Sequence, residues 1–371
     1  MPKSKLLFLV QLPPPVHGAA LRNKFITYNE LLNKSFNIEV LPLRFARDMQ
    51  DLEKISFTKL FILVKFMLSL TRKLFLFKPD IVYFTLTPTG KTFYRDVLIV
   101  AWIKLFSKKL VYHLRVLGIK EYKGGLRVLL YKYVFRHSTV ISLSYIAARD
   151  LDAVHTGKLL VVNNGIEDPV LQYNLKLPVP QNKKIKNILF LSNLFISKGI
   201  LDVVEAIALL KQKREDFHLN IVGKETRELS YKELEKIIET KGLRSLVTVK
   251  KALYGADKFK EYLQADIFVF PTYYPKESFP GVIIEAMSCQ LPIVATKAAS
   301  IPEMVDPETG ILVNKRDIAS IALQLERLLQ NPKLRADMGI KARRRYLTKF
   351  SLKSFEKRML NTFQQLTKEN N

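Results

Sequence analysis

Two glutamates at a predicted strand–loop–helix junction are the side chains of this sequence best suited to chemistry. Glu277 and Glu285 lie in FPTYYPKESFPGVIIEAM, residues 270–287 of the 371-residue chain. Glu277 is predicted in the loop after a buried strand, and Glu285 just over one turn inside the next helix. Carboxylates pair well with the hydroxyl groups of a ribose or a hexose. We therefore interpret Glu277, before the helix, as holding a sugar, and Glu285 as holding a ribose further along the same ligand. Each alone has a plainer explanation, because acids near a helix start stabilise its dipole by about 0.3–1 kcal/mol.

The residues between the two glutamates are predicted to bring a ligand against the backbone. After Phe279, Pro280 is expected at the first helical position, where proline is favoured. Gly281 has no Cβ, which lets a ligand approach the main chain closely. The first N–H groups of the helix, around Gly281 and Val282, have no intrahelical partner and form a site for a diphosphate or a sugar hydroxyl.

A lysine in the same half of the chain is a candidate for binding phosphate. Lys198 follows a predicted strand and loop and opens a helix. A cation there would neutralise the charge that develops on a leaving phosphate, a form of electrostatic help that often dominates catalysis. The alternative is a surface lysine at a helix start, a position that the helix dipole disfavours.

The first half of the chain contains two further candidates for the functional site, a histidine and a loop. His113 ends the predicted strand 109–113, and strand-terminal histidines are often packed structural residues. The loop PPPVHGAA, residues 13–20, joins the first strand to the first helix and contains His17 and Gly18. With one glycine, this loop is also compatible with an ordinary structural turn.

Short β-rich runs that alternate with helical stretches must position these side chains. This alternation is typical of parallel sheets covered by helices. The predicted strands are 5–10, 38–43, 81–84, 109–113, 139–143, 159–162, 188–192, 219–222, 247–250, 267–270, 293–296 and 310–313. The predicted helices are 18–33, 57–77, 92–106, 126–136, 199–213, 231–241, 257–264, 281–289 and 318–330. Ligands of such sheets bind beyond the carboxyl ends of the strands, where the candidate residues are expected.

The length and the restart of the pattern predict two doubly wound α/β domains. Single cores stop growing at roughly 250–300 residues, which 371 residues exceed. Residues 168–186 are polar and marked by prolines, and we interpret them as a linker. The expected domains are 1–175 and 176–351, with a C-terminal helix 352–368 that packs back on the first domain.

The composition restricts location and partners. The single cysteine, Cys289, excludes a disulfide framework and a CxxC metal site. The apolar run 6–10 lacks a following cleavage site and is better explained as a buried strand than as a signal peptide, so a cytoplasmic location is expected. A net charge of +26 predicts an anionic partner: nucleic acid, a membrane surface or a diphosphate substrate.

The most apolar helix, residues 57–77, carries four cations: Lys59, Lys65, Arg72 and Lys73. Each would cost about 2.5–3.5 kcal/mol at the centre of a bilayer, so a membrane-spanning helix is not expected. The helix suits the surface of an anionic leaflet on the inner face of the cell membrane. An ordinary crossover helix with a solvated basic edge is the alternative.

The second half of the chain resembles retaining glycosyltransferases of the two-domain GT-B fold, specifically glycosyltransferase family 4 (glycosyl transferases group 1). The resemblance rests on the Glu-x7-Glu spacing of Glu277 and Glu285. It extends to IVG at 221–223, ADIFVFP at 265–271, LPIVAT at 291–296, IPE at 301–303 and TGILV at 309–313. It implies two Rossmann-like domains that face a central cleft. It also implies a nucleotide-sugar donor, UDP-sugar ahead of GDP-sugar, with retention of anomeric configuration, no cofactor and no metal.

The resemblance assigns roles to the candidates residue by residue. The implied catalytic residues are Glu277, Lys198 and His113. The implied donor-binding residues are Glu285, Phe279, Pro280, Gly281, Val282, Gly223, Asn193, Gly18 and His17. The sequence departs from the family pattern at Ser192 and Asn193, where relatives have Gly-Arg, so the second cation of the diphosphate clamp is missing or supplied from elsewhere. The loop with Gly18 also lacks the second glycine of the family.

The pair Asp150 and Asp152 superficially resembles the Asp-x-Asp metal motif of the other large glycosyltransferase fold. It falls in a predicted helix, 146–154, with no supporting carboxylate cluster. We therefore interpret it as helix surface and expect no metal site.

The resulting expectation is a retaining, metal-independent hexosyltransferase acting on a glycan or lipid-linked acceptor in cell-surface polysaccharide biosynthesis. The basic, apolar first domain favours such an acceptor. An alternative enzyme is a nucleotide-sugar epimerase with the same fold; a phosphorylase would need a cofactor-bearing lysine context that is not found. A basic nucleic-acid-binding protein is the non-enzyme alternative, and it lacks the expected binding motifs, so no nucleic-acid partner is expected.

Overall fold

The computed structural model describes residues 2–14, 18–45, 57–106, 108–178 and 184–368, without the side chains of residues 57–59. The chain forms two compact units. The first runs from the N-terminus to Asn164 and includes the chain from Phe355 onward, and the second spans Gly165–Ser354. His17 lies outside the described residues.

The described residues of the first unit form one six-stranded parallel sheet in the order β2-β1-β3-β4-β5-β6. Its strands are β1 Lys5–Val10, β2 Asn37–Pro42, β3 Ile81–Phe84, β4 Lys109–His113, β5 Ser138–Ser142 and β6 Leu159–Val161. Its helices are α1 Gly18–Thr27, α2 Glu30–Ser35, α3 Phe57–Leu76, α4 Thr92–Leu105, α5 Gly125–Phe135 and α6 Tyr145–Ala148.

The apolar strands of this sheet form its core. Residues 6–10 and 81–84 are almost entirely inaccessible, as expected for parallel strands covered by helices on both faces. Helix α3 contributes one stripe to this core, spaced three or four residues apart: Phe66, Leu70, Leu74 and the following Phe77. This spacing places all four side chains on one side of the helix.

The described residues of the second unit also form a six-stranded parallel sheet, in the order β12-β11-β10-β7-β8-β9. Its strands are β7 Lys186–Leu191, β8 Phe217–Val222, β9 Val247–Lys250, β10 Ile267–Phe270, β11 Ile293–Thr296 and β12 Gly310–Val313. Its helices are α7 Pro169–Gln172, α8 Ile200–Lys211, α9 Tyr231–Thr240, α10 Gly255–Gln264, α11 Gly281–Ser288, α12 Ile301–Met304, α13 Ile318–Gln330 and α14 Pro332–Arg345.

The strand order of the second sheet creates a topological switch point. From β7 the chain builds outward through β8 and β9, and it then returns to place β10 on the other side of β7. Loops after β7 and β10 therefore leave the same edge of the sheet in opposite lateral directions. A crevice opens beyond the strand ends at such a point, and ligands bind there in open α/β sheets.

The last helix, α15 Leu352–Lys368, belongs mostly to the first unit. The Phe363 ring stacks on Phe8 with a centroid distance of 5.5 Å and meets Tyr83 edge-on at 5.5 Å. Phe8 and Tyr83 lie on β1 and β3, so the C-terminal helix covers the centre of the first sheet.

The structure divides the chain at Asn164 rather than near residue 175. The first residues of the expected linker 168–186 are part of the second unit and include helix α7. Asp168 caps α7 and pairs with the guanidinium of Arg343 on α14, with 3.0 Å between Nη1 and Oδ1. Ile166 pairs with Ser351 in an isolated bridge. These contacts make the residues after Asn164 part of the second unit.

Among the described residues no helix combines the length and the apolar character needed to cross a membrane.

Candidate active site

A pocket of about 440 Å³ lies at the carboxyl edge of the second sheet. This size is in the ordinary range of small-molecule sites. Its lining comes from the ends of β7, β8 and β9 and from α10 and α11: Leu191, Ser192, Asn193, Phe195, Lys198, Val222, Gly223, Ala252, Leu253, Tyr254, Lys258, Tyr274, Val282 and Glu285. Five of the predicted site residues are among them: Lys198, Glu285, Val282, Gly223 and Asn193.

Lys198 and Glu277 form a direct ion pair across the switch point. The distance from Lys198 Nζ to Glu277 Oε2 is 2.6 Å, and the two side chains are 16% and 10% exposed. Nζ also lies 4.4 Å from the centre of the Tyr274 ring. Removing one partner of so shielded a pair leaves an uncompensated charge, which is costly.

Backbone packing brings the two loops that carry this pair together. Lys198 ends a short 3-10 turn after β7, and Gly199 follows in the left-handed conformation with φ of 83°. A Cβ on Gly199 would stand 2.3 Å from the carbonyl oxygen of Pro271, just after β10. The Ser197 carbonyl accepts a hydrogen bond from the backbone N–H of Tyr273 at 2.8 Å. Only glycine allows this close approach, which fixes Lys198 beside the Glu277 loop.

Glu285 is held by a second lysine and a tyrosine, both from α10. Its Oε1 accepts from Lys258 Nζ at 2.8 Å, and its Oε2 accepts from the Tyr262 hydroxyl at 3.0 Å. Burial, together with the negative charge of Glu285, raises the pKa of Tyr262 well above its ordinary value, so the hydroxyl remains the donor. Lys258 and Tyr262 are four residues apart and therefore share a helix face.

Sequence reasoning missed Lys258, Tyr262 and Tyr254. The spacing of Lys258 and Tyr262 was the available signal, but their partner is known only once α10 lies beside α11. Tyr254 is exposed at the start of α10 and adds an aromatic ring to the pocket.

Gly223 has a packing role that is visible in the structure. A Cβ at this position would stand 1.7 Å from the carbonyl oxygen of Ser192. The ends of β7 and β8 are therefore closer than any side chain allows. Asn193, in the loop that follows Ser192, has an exposed side chain at the pocket.

The junction before α11 differs in detail from the prediction. Pro280 caps the helix instead of occupying its first position, which is taken by Gly281. The proline keeps an extended backbone, with ψ of 116°, so the helix begins one residue later. Phe279 is buried and packs against Phe350, with 5.9 Å between the ring centroids, so it anchors the loop to the core. Of the four junction residues, Val282 lines the pocket.

His113 is completely buried in the first unit, at the end of β4. Its Nδ1 lies 2.7 Å from the Tyr83 hydroxyl and 3.5 Å from a guanidinium nitrogen of Arg115. Arginine only donates, so Nδ1 is the acceptor and the ring proton is on Nε2. Burial lowers the pKa of His113 well below its ordinary value and keeps the ring neutral. Its Nε2 has no hydrogen-bond partner among the described residues.

Gly18 is the first residue of α1, and a Cβ there would meet no atom within 4 Å. Its conformation therefore does not by itself require glycine. The predicted roles of Gly18 and His113 concern the first unit and remain predictions.

The interpretation of Asp150 as helix surface was wrong. Asp150 is buried in a 3-10 turn, and its carboxylate accepts hydrogen bonds from the backbone N–H groups of Gly118, Ile119 and Lys120 at 2.9–3.0 Å. It organises the loop after β4. Within the described parts of the chain, no cluster of His, Cys, Asp and Glu has the geometry of a metal site.

One family of known proteins matches the second half of the chain. Residues 175–345 match the sequence profile of the family described as glycosyl transferases group 1. A capsular polysaccharide biosynthesis glycosyltransferase, CapM of Staphylococcus aureus, is 29% identical over 194 residues, which cover 51% of this chain and 50% of the relative. The chain thus spans about half the length, or less, of the curated relatives that it matches.

Solved structures match along nearly the whole chain. The sucrose-phosphate synthase of Thermosynechococcus elongatus superposes with a TM-score of 0.72 at 19% identity, over 99% of this chain and 100% of the other. Anabaena HepE, solved in complex with UDP, gives 0.71 at 20% identity over 97% and 100%. The two parallel six-stranded sheets are those of the GT-B fold. The match to glycosyl transferases group 1 thus covers residues 175–345, and the GT-B fold extends over nearly the whole chain.

Proposed function

We propose that this protein is a retaining glycosyltransferase that transfers a hexose from a nucleoside diphosphate sugar to a glycan or lipid-linked acceptor. One observation supports the proposal above all. Lys198 pairs with Glu277 and lines the same pocket as Glu285 at the switch point of the second sheet, where α/β folds bind ligands.

The ion pair between Lys198 and Glu277 gives the donor two complementary groups at once. On binding, the diphosphate takes Lys198 as its counterion, and the hexose hydroxyls take the Glu277 carboxylate as their acceptor. Lys198 and Glu277 each exchange their partner in the ion pair for a group of the donor. The donor therefore replaces the Lys198–Glu277 contact without leaving either charge unpaired.

Glu285 is the ribose acceptor in this proposal. Lys258 and Tyr262 each hold one of its oxygens, which fixes the carboxylate without further side-chain ordering. Each carboxylate oxygen retains a second lone pair for a ribose hydroxyl. Lys258 lines the same pocket and brings the positive charge that Asn193 does not supply.

The reaction breaks the bond between the anomeric carbon and the phosphate oxygen. The acceptor hydroxyl oxygen bonds to the same carbon on the face that the diphosphate leaves, which preserves configuration. Its proton passes to the departing phosphate oxygen. Lys198 stabilises the negative charge that develops there, without a cofactor or a metal ion.

We propose the acceptor and the cellular role from the similarity to the relatives named above. CapM is described as a capsular polysaccharide enzyme, which supports a role in cell-surface polysaccharide biosynthesis. UDP, bound in the HepE structure, is the first nucleotide to test. The same proposal places this protein in the cytoplasm, at the inner face of the membrane.

Thermal-shift measurements with UDP, GDP, ADP and their sugars test the site directly. A ligand at 100 times its dissociation constant stabilises the folded state by about 2.7 kcal/mol. We expect a UDP-sugar to raise the melting temperature of the wild type, and Lys198→Met to abolish the shift. Lys213→Met, which removes an exposed lysine from its pair with Glu326, is the control and should retain the shift. An equal shift in both variants, or none with any nucleotide, would count against the proposal.

The rival epimerase would need no acceptor. Incubating the bound donor alone and analysing the sugar separates the two reactions, since an isomerised nucleotide sugar would support the epimerase.

A further inference from the structure

Three helices of the first unit present large apolar side chains to solvent. Helices α3, α4 and α5 comprise 45 residues. They carry 13 of the 24 large apolar side chains that are exposed in the described part of the chain. Scattered exposed apolar residues are normal in soluble proteins, but such a concentration marks an interaction surface.

Helix α3 is apolar on both of its sides. The inner stripe packs in the core through Phe66, Leu70 and Leu74. The outer stripe includes Phe61 and Leu68, which are 66% and 67% exposed. A helix that only covers a sheet has a polar outer face. The outer stripe therefore has no explanation in the packing of the first unit.

Helix α4 continues the surface beside α3. Its outward positions, Tyr94, Leu98, Trp102 and Leu105, are all apolar or aromatic. The Trp102 indole donates a hydrogen bond to the Thr71 hydroxyl of α3 at 2.9 Å. The exposed rings of the two helices are therefore neighbours.

Helix α5 extends the surface on the other side of α4. Its exposed apolar residues are Leu126, Leu129 and Tyr133. Lys104 of α4 donates to the Arg136 carbonyl at 3.0 Å and stands 4.6 Å from the centre of the Tyr133 ring. The three helices thus form one continuous surface, which we call the α3–α5 face.

The charge on the α3–α5 face has one sign. Helices α3 and α5 contain no Asp or Glu, and the single acid of α4, Asp96, is buried and bonded to Arg95. Lys65, Arg72 and Lys132 are exposed on the face and form no ion pair with a described acidic side chain. Apolar residues and exposed cations therefore alternate over the same surface.

We propose that the α3–α5 face docks the first unit onto a bilayer that contains anionic phospholipid. Apolar and aromatic side chains of such a face enter the boundary between headgroups and acyl chains. Each lysine or arginine near the anionic surface adds roughly 1 kcal/mol. This inference assigns a surface to the membrane location proposed above, and its test does not depend on sugar transfer.

The combination of charge and apolar surface decides against other partners. Nucleic acid is bound through its phosphates, which leaves exposed Leu and Phe side chains without a role. A symmetric dimer through this face would set cations against cations, because a two-fold interface places the same patch on both subunits. A lipid bilayer satisfies both components at once.

Trp102 makes the test direct, because it is the only tryptophan of the chain and lies on the face. The full-length protein is mixed with vesicles of phosphatidylcholine alone, or with an equal share of phosphatidylglycerol. We expect binding to the anionic vesicles, a blue shift of the Trp102 emission and quenching by brominated acyl chains. Neutral vesicles should bind at least about tenfold more weakly, since the lysines and arginines lose their counterions.

A matched pair of substitutions assigns the binding to the face. Leu98 on α4 and Leu323 on α13 are both 56% exposed, so Leu98→Glu and Leu323→Glu introduce the same change at equally exposed sites. We expect Leu98→Glu to weaken vesicle binding by about tenfold or more, and Leu323→Glu to leave it within about twofold. Circular dichroism melts confirm that both variants fold.

Three results would overturn the proposal. The first is equal vesicle binding by the two variants, and the second is salt-reversible binding in which Trp102 emission does not shift. The third is a concentration-dependent dimer, seen by analytical ultracentrifugation, that Leu98→Glu dissociates while vesicles bind neither form.

Discussion

At the scale of single residues, the candidate site consists of two charged pairs whose members come from different loops and helices. Lys198 pairs with Glu277, and Lys258 pairs with Glu285. The side chains of these four residues are mostly shielded from solvent, unlike those of ordinary surface pairs. Their substitution should therefore affect ligand binding more than exposed pairs do.

Lys258→Met should weaken binding of the nucleotide by about tenfold. The substitution frees Glu285 and removes one positive charge from the pocket. Lys260→Met, two residues further along α10, breaks only an exposed pair with Asp257 and is the control. Isothermal titration with UDP measures both variants, and equal affinities would contradict the assigned role of Lys258.

Tyr262→Phe should lower nucleotide affinity by a smaller factor, about three- to tenfold, because one hydrogen bond to a charged acceptor is lost while the ring stays packed. The protein should fold normally, and titration should show a change in affinity with little change in thermal stability. A variant that binds like wild type would indicate that Lys258 alone orients Glu285.

His113 should make the protein less stable in mild acid. Its folded pKa is far below the ordinary value of 6.5, because burial disfavours the charged ring. As the pH falls through about 6.5, the unfolded chain takes up a proton that the folded chain does not, so stability falls by up to about 1.4 kcal/mol per pH unit. Denaturant unfolding of His113→Gln across this range should show a flatter dependence.

The half-buried His218 provides the comparison for His113. Its pKa is also lowered by burial, but the ring is partly in water. His218→Gln should therefore flatten the pH dependence less than His113→Gln. The reverse order would contradict the neutral, buried state assigned to His113.

At the scale of elements, the sequence predicts where strands lie better than how their ends meet. Strands 81–84, 247–250 and 310–313 have the predicted bounds, because these short runs are rich in the β-branched and aromatic residues that favour strands. The predicted helix 18–33 is two helices, since Asn29 caps the second through its side chain. Helix α14, Pro332–Arg345, was not predicted, because its mostly polar surface gives a weak apolar period.

The contacts that make the site were harder to predict, because they depend on backbone approach. Lys198 and Glu277 could be identified from residue type and position after strands. Their pairing depends on Gly199 and Pro271, and the distance between those backbones is not encoded in either local segment. The same applies to Asp150, whose three backbone partners lie 30 to 32 residues earlier in the chain.

Gly223→Ala should destabilise the second unit by about 3 kcal/mol or more, since its Cβ would collide with the Ser192 carbonyl oxygen and force β7 and β8 apart. Gly124→Ala is the control, because a Cβ there meets nothing within 4 Å and the backbone is extended. It should change stability by less than about 0.5 kcal/mol. Chemical denaturation measures both, and similar losses would refute the packing argument.

At the scale of the whole molecule, a shielded ion pair joins segments 175 residues apart. Asp168 and Arg343 connect the start of the second unit to α14, and the two side chains are 13% and 12% exposed. The Arg343 guanidinium also donates to the Ser288 carbonyl at the end of α11. The pair therefore links the entry of the chain into this unit with the helix that carries Glu285.

Asp168→Asn should lower the free energy of unfolding by about 3 kcal/mol. Asparagine still caps α7, but the shielded guanidinium loses its counterion. Lys341→Met breaks an exposed pair with Glu308 on the same helix α14 and should cost no more than about 1 kcal/mol. Equal losses in denaturant unfolding would show that the pair behaves as an exposed one.

The pair of Lys198 with Glu277 has a consequence for turnover. In the proposed reaction, no hexose hydroxyl competes for Glu277 once the sugar has been transferred, so the carboxylate would pair with Lys198 again in place of the nucleotide. The nucleoside diphosphate product would then bind more weakly than the intact donor, which engages both Lys198 and Glu277. The proposed roles therefore predict that these two side chains assist product release, and Glu277→Gln should retain UDP longer than the wild type does.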